Sequence, residues 1–399
     1  MIFSTYWFVV FAVIVTAGYW LLPAANWRLP FLAAACVIFH FHFAGPAGVL
    51  PIVVLGVVTY LIGLTRNRYA CAAGIGLTVV ALCGYKYSVF LSHDLLGALF
   101  PAAAARSATW LNAVLPAAAP LGISFFAFEF VHYLYEVRSG AEPLRKPLRF
   151  LLFAIFFPSL VAGPIKRFRE FDPALGAGAR GVDAADVVAG LQRVAIGFFK
   201  KIVIADNLTT AIDHFAPLMG DLAIGWRWLL LAAIAARILT DFSGYSDIAI
   251  GAARLLGIRL PENFNWPYAA RNLQDFWQRW HMSLSTWIRD YVYIPLGGGR
   301  VSPWRRAANV FAAFALCGLW HGPAWHFALW GIYHGAGLAI QANVDLLPVV
   351  GLPLCRLFAA APPIAWALTQ LFVWLGWLLF FYPAAQAGKM ALTLLGIHA

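Results

Sequence analysis

The chain has 399 residues, of which 62% are hydrophobic and only 11% charged, where a soluble domain carries roughly a quarter charged residues. That composition excludes a water-soluble globular protein and fits a polytopic membrane protein, since lipid covers an apolar exterior that water would not. The net charge of +11 does not point to nucleic acid, because the basic residues fall in short clusters between apolar stretches: Arg66 and Arg68; Arg145, Lys146 and Arg149; Lys166, Arg167 and Arg169; Arg305 and Arg306. Cytoplasmic loops show that pattern under the positive-inside rule.

The N-terminal run MIFSTYWFVVFAVIVTAGYWLL has no basic leader, so a retained first span is expected rather than a cleaved signal. Apolar runs follow near 29–44, 46–64, 70–92, 110–137, 148–165, 222–240, 307–320, 324–342 and 364–382. A spanning helix needs about 20 residues. Several of these runs are short of that, so some helices are expected to be tilted or re-entrant. The expected fold class is all-α and polytopic, with about 10–12 helical elements and no internal repeat. Cys36, Cys71, Cys83, Cys317 and Cys355 are scattered through apolar sequence without a Cys-x-x-Cys spacing. They read as small buried hydrophobes, not as disulfides or a zinc site.

Polar sequence interrupts this pattern in a few segments. In PLGISFFAFEFVHYLYEVRSG, residues 120–140, Glu129, His132 and Glu136 share one helix face and predict a self-satisfied acid–histidine–acid ladder more than a catalytic group. Residues 166–183, with Gly176, Gly178 and Gly181, predict a polar loop. Residues 184–208 mix apolar spacing with Arg193, Lys200 and Lys201, as an interfacial helix does. TDFSGYSDIAIG, residues 240–251, reads as a polar turn or re-entrant start. There Asp241 and Tyr245 are as suited to capping as to ligand contact.

The densest segment is FWQRWHMSLSTWIRDYVYIPLGGGR, residues 276–300. Drawn as one α-helix from Gln274, it puts Gln274, Gln278, His281, Ser285 and Arg289 within an arc of roughly 80°. Phe276, Trp277, Trp280, Leu284, Trp287 and Ile288 fill a separate aromatic and aliphatic arc. Asp275, Arg279 and Asp290 occupy the remaining side, where they pair or meet water. An aromatic belt with lipid-facing arginines explains the tryptophans, but not the uncharged polar stripe around His281. The PLGGGR that follows lacks Walker spacing and predicts a tight turn.

In ALCGLWHGPAWHFALWGIYHGAGLAI, residues 315–340, His321, His326 and His334 lie in apolar sequence. An ionisable side chain at membrane depth is costly and marks a candidate functional site. The alternative for each is a neutral core histidine bonded to a backbone carbonyl. Pro323 separates His321 from His326, and His326 and His334 lie two turns apart, so a shared metal ion is not expected. General-base chemistry needs only one imidazole, oriented by a partner and shielded from bulk water. His321, between Trp320 and Gly322-Pro323, is the candidate, and the His281 stripe is a source for its partner.

Six stretches, PLGISFFAFEFVHYLYEV, FPSLVAGPIKRF, GFFKKIVIADNL, DFSGYSDIAIGAARLLGI, NFNWPYAARNLQDFWQRWHMSLSTWIRDYVYIPLGG and LWHGPAWHFALWGIYHG, resemble the membrane-bound O-acyltransferase (MBOAT) family in order over residues 120–340. The likeness is to its bacterial branch of alginate and peptidoglycan O-acetylation and teichoic-acid D-alanylation proteins. The resemblance implies a ring of tilted helices around a central funnel, with N-terminal spans over 1–110, a catalytic core over 111–342 and a C-terminal helix and tail over 343–399. It implies His321 as the principal catalytic histidine, His281 as the second active-site position and His334 as a supporting one. Gln278, Ser285, Arg289, Trp320, Asp241 and Tyr245 are the candidate supporting or substrate-binding residues.

The function so implied is transfer of an acyl group, foremost acetyl, from a cytoplasmic thioester to a hydroxyl outside the inner membrane. The donor is acyl-CoA (acetyl-CoA) or a carrier-protein thioester, with no permanently bound cofactor and no metal. Expected partners are membrane lipids, an exported SGNH-type acceptor protein or a polysaccharide, and a cytoplasmic carrier protein; nucleic acid is not among them. The competing readings are D-alanyl transfer, a transporter of an acylated intermediate, and a non-enzymatic scaffold.

Overall fold

The computed structural model describes residues 2–97, 100, 119–161, 163–344, 356 and 360–397. Within them every regular element is helical. The part of the apolar run 110–137 before residue 119, and Cys355, lie outside the described residues.

Among the described residues, four helices are long and apolar enough to cross a membrane: Ala25–Thr65, Arg68–Phe90, Ile224–Leu255 and Pro362–Phe381. Apolar side chains on them such as Val54, Val80, Leu229 and Leu368 are exposed. In water that exposure would be unfavourable, whereas hydrocarbon makes it neutral. The chain is a multi-pass membrane protein.

The chain divides into two compact units, one of Met1–Phe198 with Tyr245–Pro261, the other of Phe199–Gly244 with Glu262–Ala399. The first unit holds α1 (Tyr6–Leu21), α2 (Ala25–Thr65), α3 (Arg68–Phe90), α4 (Ile123–Arg138), α5 (Pro147–Ile155), α6 (Phe168–Gly178) and α7 (Ala184–Phe198). The apolar runs 29–44 and 46–64 are the two arms of α2, kinked where Gly45 adopts φ 64°, ψ 171° ahead of Pro46. Only glycine enters that region freely, and proline cannot continue the hydrogen-bond ladder.

Three sequence expectations are corrected in this unit. Residues 168–178 form helix α6 and not a loop; its Phe168, Phe171 and Leu175 are buried, so core packing outweighs the glycine content. The acid–histidine–acid face of α4 is not self-satisfied either. Glu129 meets Lys166 at 2.5 Å and Glu136 meets Arg169 at 2.8 Å. His132 Nδ1 lies 3.2 Å from the Phe128 carbonyl, and its Nε2 accepts the Phe168 N–H at 3.3 Å. An acceptor Nε2 fixes the neutral tautomer with the proton on Nδ1. This face pins the 166–169 strand of chain to α4 and is structural. Cys36 and Cys71 are buried, as expected, but Cys83 is exposed.

The second unit holds α8 (Asn207–Phe215), the first part of α9 (Ile224–Leu255), α10 (Leu273–Arg279), α11 (Met282–Ile288), α12 (Pro303–His321), α13 (Trp325–Ala342), α14 (Pro362–Phe381) and α15 (Ala384–Leu394). Residues 240–251 are interior helix of α9, not a turn. The polar groups that suggested a turn are used sideways: Asp241 pairs with Lys201 at 2.8 Å within this unit, and Asp247 with Arg193 at 2.5 Å within the first. PLGGGR is a turn as expected, with Gly297 at φ 111° and Gly298 at φ 57°.

Candidate active site

The densest polar segment is two helices instead of one. After α10 the chain extends at Trp280 (φ −98°, ψ 127°), turns left-handed at His281 (φ 43°, ψ 54°), and restarts as α11. A left-handed non-glycine residue costs on the order of 1 kcal/mol or more and needs compensation, which comes from residues 263–265. The Asn263 carbonyl accepts the Met282 N–H at 2.9 Å, and the Asn265 N–H reaches the Arg279 carbonyl at 3.0 Å. Asn263 Oδ1 accepts the Ser283 N–H at 3.3 Å and the Ser283 hydroxyl at 2.7 Å. Orphan groups at both helix ends thus find partners.

The same oxygen fixes the protonation pattern of His281, whose Nδ1 lies 3.1 Å from Asn263 Oδ1. Because that oxygen already receives a backbone N–H, its identity as oxygen follows from the bonding, and it can only accept. Nδ1 therefore carries the proton. Nε2 of the neutral ring is left as a lone pair, buried and without a hydrogen-bond partner. Asn263 is itself fully buried.

His321 ends α12. Its ring contacts Trp320 at 4.9 Å, Phe380 at 5.0 Å and Trp330 at 5.1 Å between centroids. Trp320 also lies 6.4 Å from His281, so one indole flanks both imidazoles. Burial first, and then the charge His321 would carry, push the His281 imidazole well below its usual range, so a proton on one ring disfavours a proton on the other. Glycine makes this arrangement possible. A Cβ at Gly318 would stand 2.3 Å from the Phe327 carbonyl, and one at Gly331 would stand 2.4 Å from the Phe314 carbonyl. The backbones of α12 and α13 touch there, one turn from His321 and one turn from His334. Small residues at such contacts let membrane helices approach closely.

A cleft of about 620 Å³ opens beside these helices. Gln274, Gln278, Ser285 and Arg289 line it together with Arg306, Gln341 and Tyr293, over apolar walls that include Trp277, Phe314 and Cys317. Four of the five residues of the predicted stripe therefore share one surface. His281 does not line the cleft, because its left-handed backbone takes it out of helical phase. Arg289 holds Asp290 at 2.7 Å, and Arg306 bonds Asn343 Oδ1 at 2.6 Å and the Ala342 carbonyl. Among the described residues lining the cleft there is no carboxylate, although Asp290 outside the lining offsets the charge of Arg289.

The other candidates divide. His334 is fully buried in α13, and neither ring nitrogen has a hydrogen-bond partner. His326 is half-buried, and its Nδ1 donates to the Leu379 carbonyl at 3.0 Å. Asp241 is held by Lys201, and the next residue, Phe242, packs edge-on against His281 at 4.6 Å. Tyr245 belongs to the first unit, where it stacks on Phe3 at 4.2 Å. Asn263 escaped the sequence reading because its partners are 18–20 positions away and no local motif marks them.

The sequence matches the model of the membrane-bound O-acyltransferase family over residues 75–347. It is 36% identical over 361 residues to a probable alginate O-acetylase of Azotobacter vinelandii, covering 89% of this chain and 67% of that protein. A peptidoglycan O-acetyltransferase of Helicobacter pylori is 35% identical over 289 residues, covering 65% and 54%. A teichoic acid D-alanyltransferase of Bacillus subtilis is 35% identical over 223 residues, covering 54% and 56%. With the family model spanning well over half its length and a 36% identical relative covered over two thirds of its own length, the chain is an acyltransferase that belongs to the membrane-bound O-acyltransferase family.

Proposed function

We propose that this inner-membrane protein transfers an acetyl group from a cytoplasmic thioester to a hydroxyl of an exported protein or a cell-envelope polysaccharide, with His321 as the base. The observation that carries this reading is the Asn263-fixed tautomer of His281, whose Nε2 lone pair is unfilled beside His321. That lone pair is an acceptor for a ring N–H of His321. Holding it there leaves the opposite nitrogen of His321 as the base, with Asn263, His281 and His321 acting in series in the manner of an oriented catalytic histidine.

His321 takes the hydroxyl proton as the oxygen attacks the thioester carbonyl. The tetrahedral intermediate then expels the thiolate, which recovers that proton from the imidazolium. In its neutral form His281 has no N–H toward the site, so it orients and does not polarise the carbonyl. The cleft suits the donor. Acyl-CoA and a carrier-protein thioester share a phosphopantetheine arm, whose phosphate fits Arg289 and Arg306 and whose slender chain fits the apolar walls. His334, Gln278, Ser285 and Trp320 support the same chamber. Acetyl is favoured by the alginate and peptidoglycan relatives. The Bacillus subtilis relative supports D-alanyl as the second reading.

The test is purified protein in detergent, given radiolabelled acetyl-CoA or an acetylated carrier protein, with a hydroxyl acceptor. Label appearing in a new oxygen ester is expected with one of the two donors. Movement of label across proteoliposomes without ester formation would make the protein a transporter and reject the proposal.

A further inference from the structure

The cleft has a direction, set by the helices around it. Its lining residues on α12 are Arg306, Val310, Ala313, Phe314 and Cys317, which share one face at helical spacing. His321 is the next position on that face, one turn beyond Cys317. The cleft therefore runs along α12 from an arginine end toward the histidine end, and the rise from Arg306 to His321 is about 22 Å. The other walls keep this order. At the arginine end, Gln341 Oε1 accepts the Leu273 N–H at 2.8 Å, and the next carbonyl, that of Ala342, accepts from Arg306. Further along α10, Trp277 packs edge-on against Phe314 at 4.8 Å, and His281 comes within 6.4 Å of Trp320. The chain then returns through α11 and Arg289, and Asn309 Nδ2 ties the Leu296 and Gly298 carbonyls to α12 at 3.1 Å and 3.3 Å.

Between the two ends, Gln274 and Gln278 line the cleft one turn apart on α10. Both are exposed, and neither side-chain amide hydrogen-bonds another described residue. Gln341, the third glutamine of the lining, is by contrast committed to Leu273 and Asn272. The cleft thus presents two free amides about 6 Å apart along its length, each offering a donor and an acceptor.

We infer that Gln274 and Gln278 are specificity-determining residues that read the two amides of the phosphopantetheine arm, Gln274 the amide nearer the phosphate and Gln278 the amide nearer the sulfur. This rests on the cleft being the donor site. The carbonyl carbons of those amides stand about 5 Å apart in the extended arm, close to the one-turn rise between the glutamines. From phosphorus to sulfur the extended arm covers about 16 Å. The phosphate contact at the arginines, and the acetyl group and imidazole at the other end, fill the rest of the distance along α12. Neutral amides suit these two positions, since a carboxylate there would compete for the arginines and an ammonium for the phosphate.

Three unreactive probes test the inference: S-acetonyl 4′-phosphopantetheine, and the same molecule with one or the other amide replaced by a saturated link of equal length. Their affinities are measured on the full-length wild type, Gln274→Leu and Gln278→Leu, where exposure lets leucine enter without disturbing the packing of α10. In wild type each missing amide is expected to cost about 3–10-fold in affinity, the worth of a net hydrogen bond. In Gln274→Leu the phosphate-side amide should cease to matter while the sulfur-side amide keeps its effect. Gln278→Leu should show the reverse, the mark of a paired contact. Glutamines that only wet the mouth of the cleft would shift all three probes alike.

Equal affinities of the three probes in wild type, or amide effects that persist in both leucine variants, would overturn the inference. A crossed pattern would overturn the assigned direction of the arm. If both variants bind the probes as wild type does while acetyl-CoA or the acetylated carrier still yields an oxygen ester, the glutamines lose this role and the proposed function stands. If wild type forms no ester with either donor, the proposed function falls and takes the inference with it.

Discussion

Replacing Asn263 by leucine keeps the branched shape of the side chain and removes its amide oxygen together with its amide N–H donors. That oxygen accepts from His281 Nδ1, the Ser283 N–H and the Ser283 hydroxyl. At about 0.5–1.5 kcal/mol for each net hydrogen bond, the loss is about 1.5–4.5 kcal/mol, toward the upper end where the abandoned donors cannot reach water. Asn263→Leu should therefore unfold at a markedly lower SDS fraction in mixed micelles. It should also slow acyl transfer by on the order of tenfold or more, because His281 no longer has one enforced tautomer. Asn263→Asp keeps the acceptor and should recover much of both. An Asn263→Leu protein that unfolds at the wild-type SDS fraction and turns over at the wild-type rate would refute the role given to this residue, and with it the explanation of the break at His281.

Other outcomes follow from the same contacts. His281→Ala should cause a severe but incomplete fall in turnover with the fold retained; wild-type turnover would reduce His281 to packing. Gly318→Val puts side-chain atoms where a Cβ is already 2.3 Å from the Phe327 carbonyl, so overpacking of about 1–3 kcal/mol and loss of transfer are expected. Gly388→Ala, with nothing within 4 Å, should be neutral or slightly stabilising in the same unfolding assay. Lys166→Met strands the buried Glu129 carboxylate and should destabilise by about 3–5 kcal/mol, while adding Glu129→Leu should recover most of that loss.

Much of the chamber was legible from residue spacing. The 3.6-residue period gathered Gln274, Gln278, Ser285 and Arg289, and these do line one cleft. The period failed at His281, since the break there depends on Asn263, and a helical projection has no term for a cap supplied from eighteen residues away. Glu129, His132 and Glu136 do share a face of α4, but their partners come from residues 166–169, a pairing that spacing within one helix cannot reveal. The helix over 168–178 was hidden for the opposite reason: its glycines argued for a loop locally, and only the burial of Phe168, Phe171 and Leu175 outweighs them. Where a residue's role is set within its own turn, the sequence displayed it. Where the partner is remote, only the folded chain did.

The central claim is that one imidazole, that of His321, performs the proton transfer. The most direct measurement is single-turnover ester formation by purified His321→Ala beside wild type, with insertion and thermal unfolding of the variant checked in the same detergent. A variant that inserts and melts like wild type, binds donor and forms no ester is the predicted result. Ester formation at the wild-type rate by that variant would contradict the mechanism.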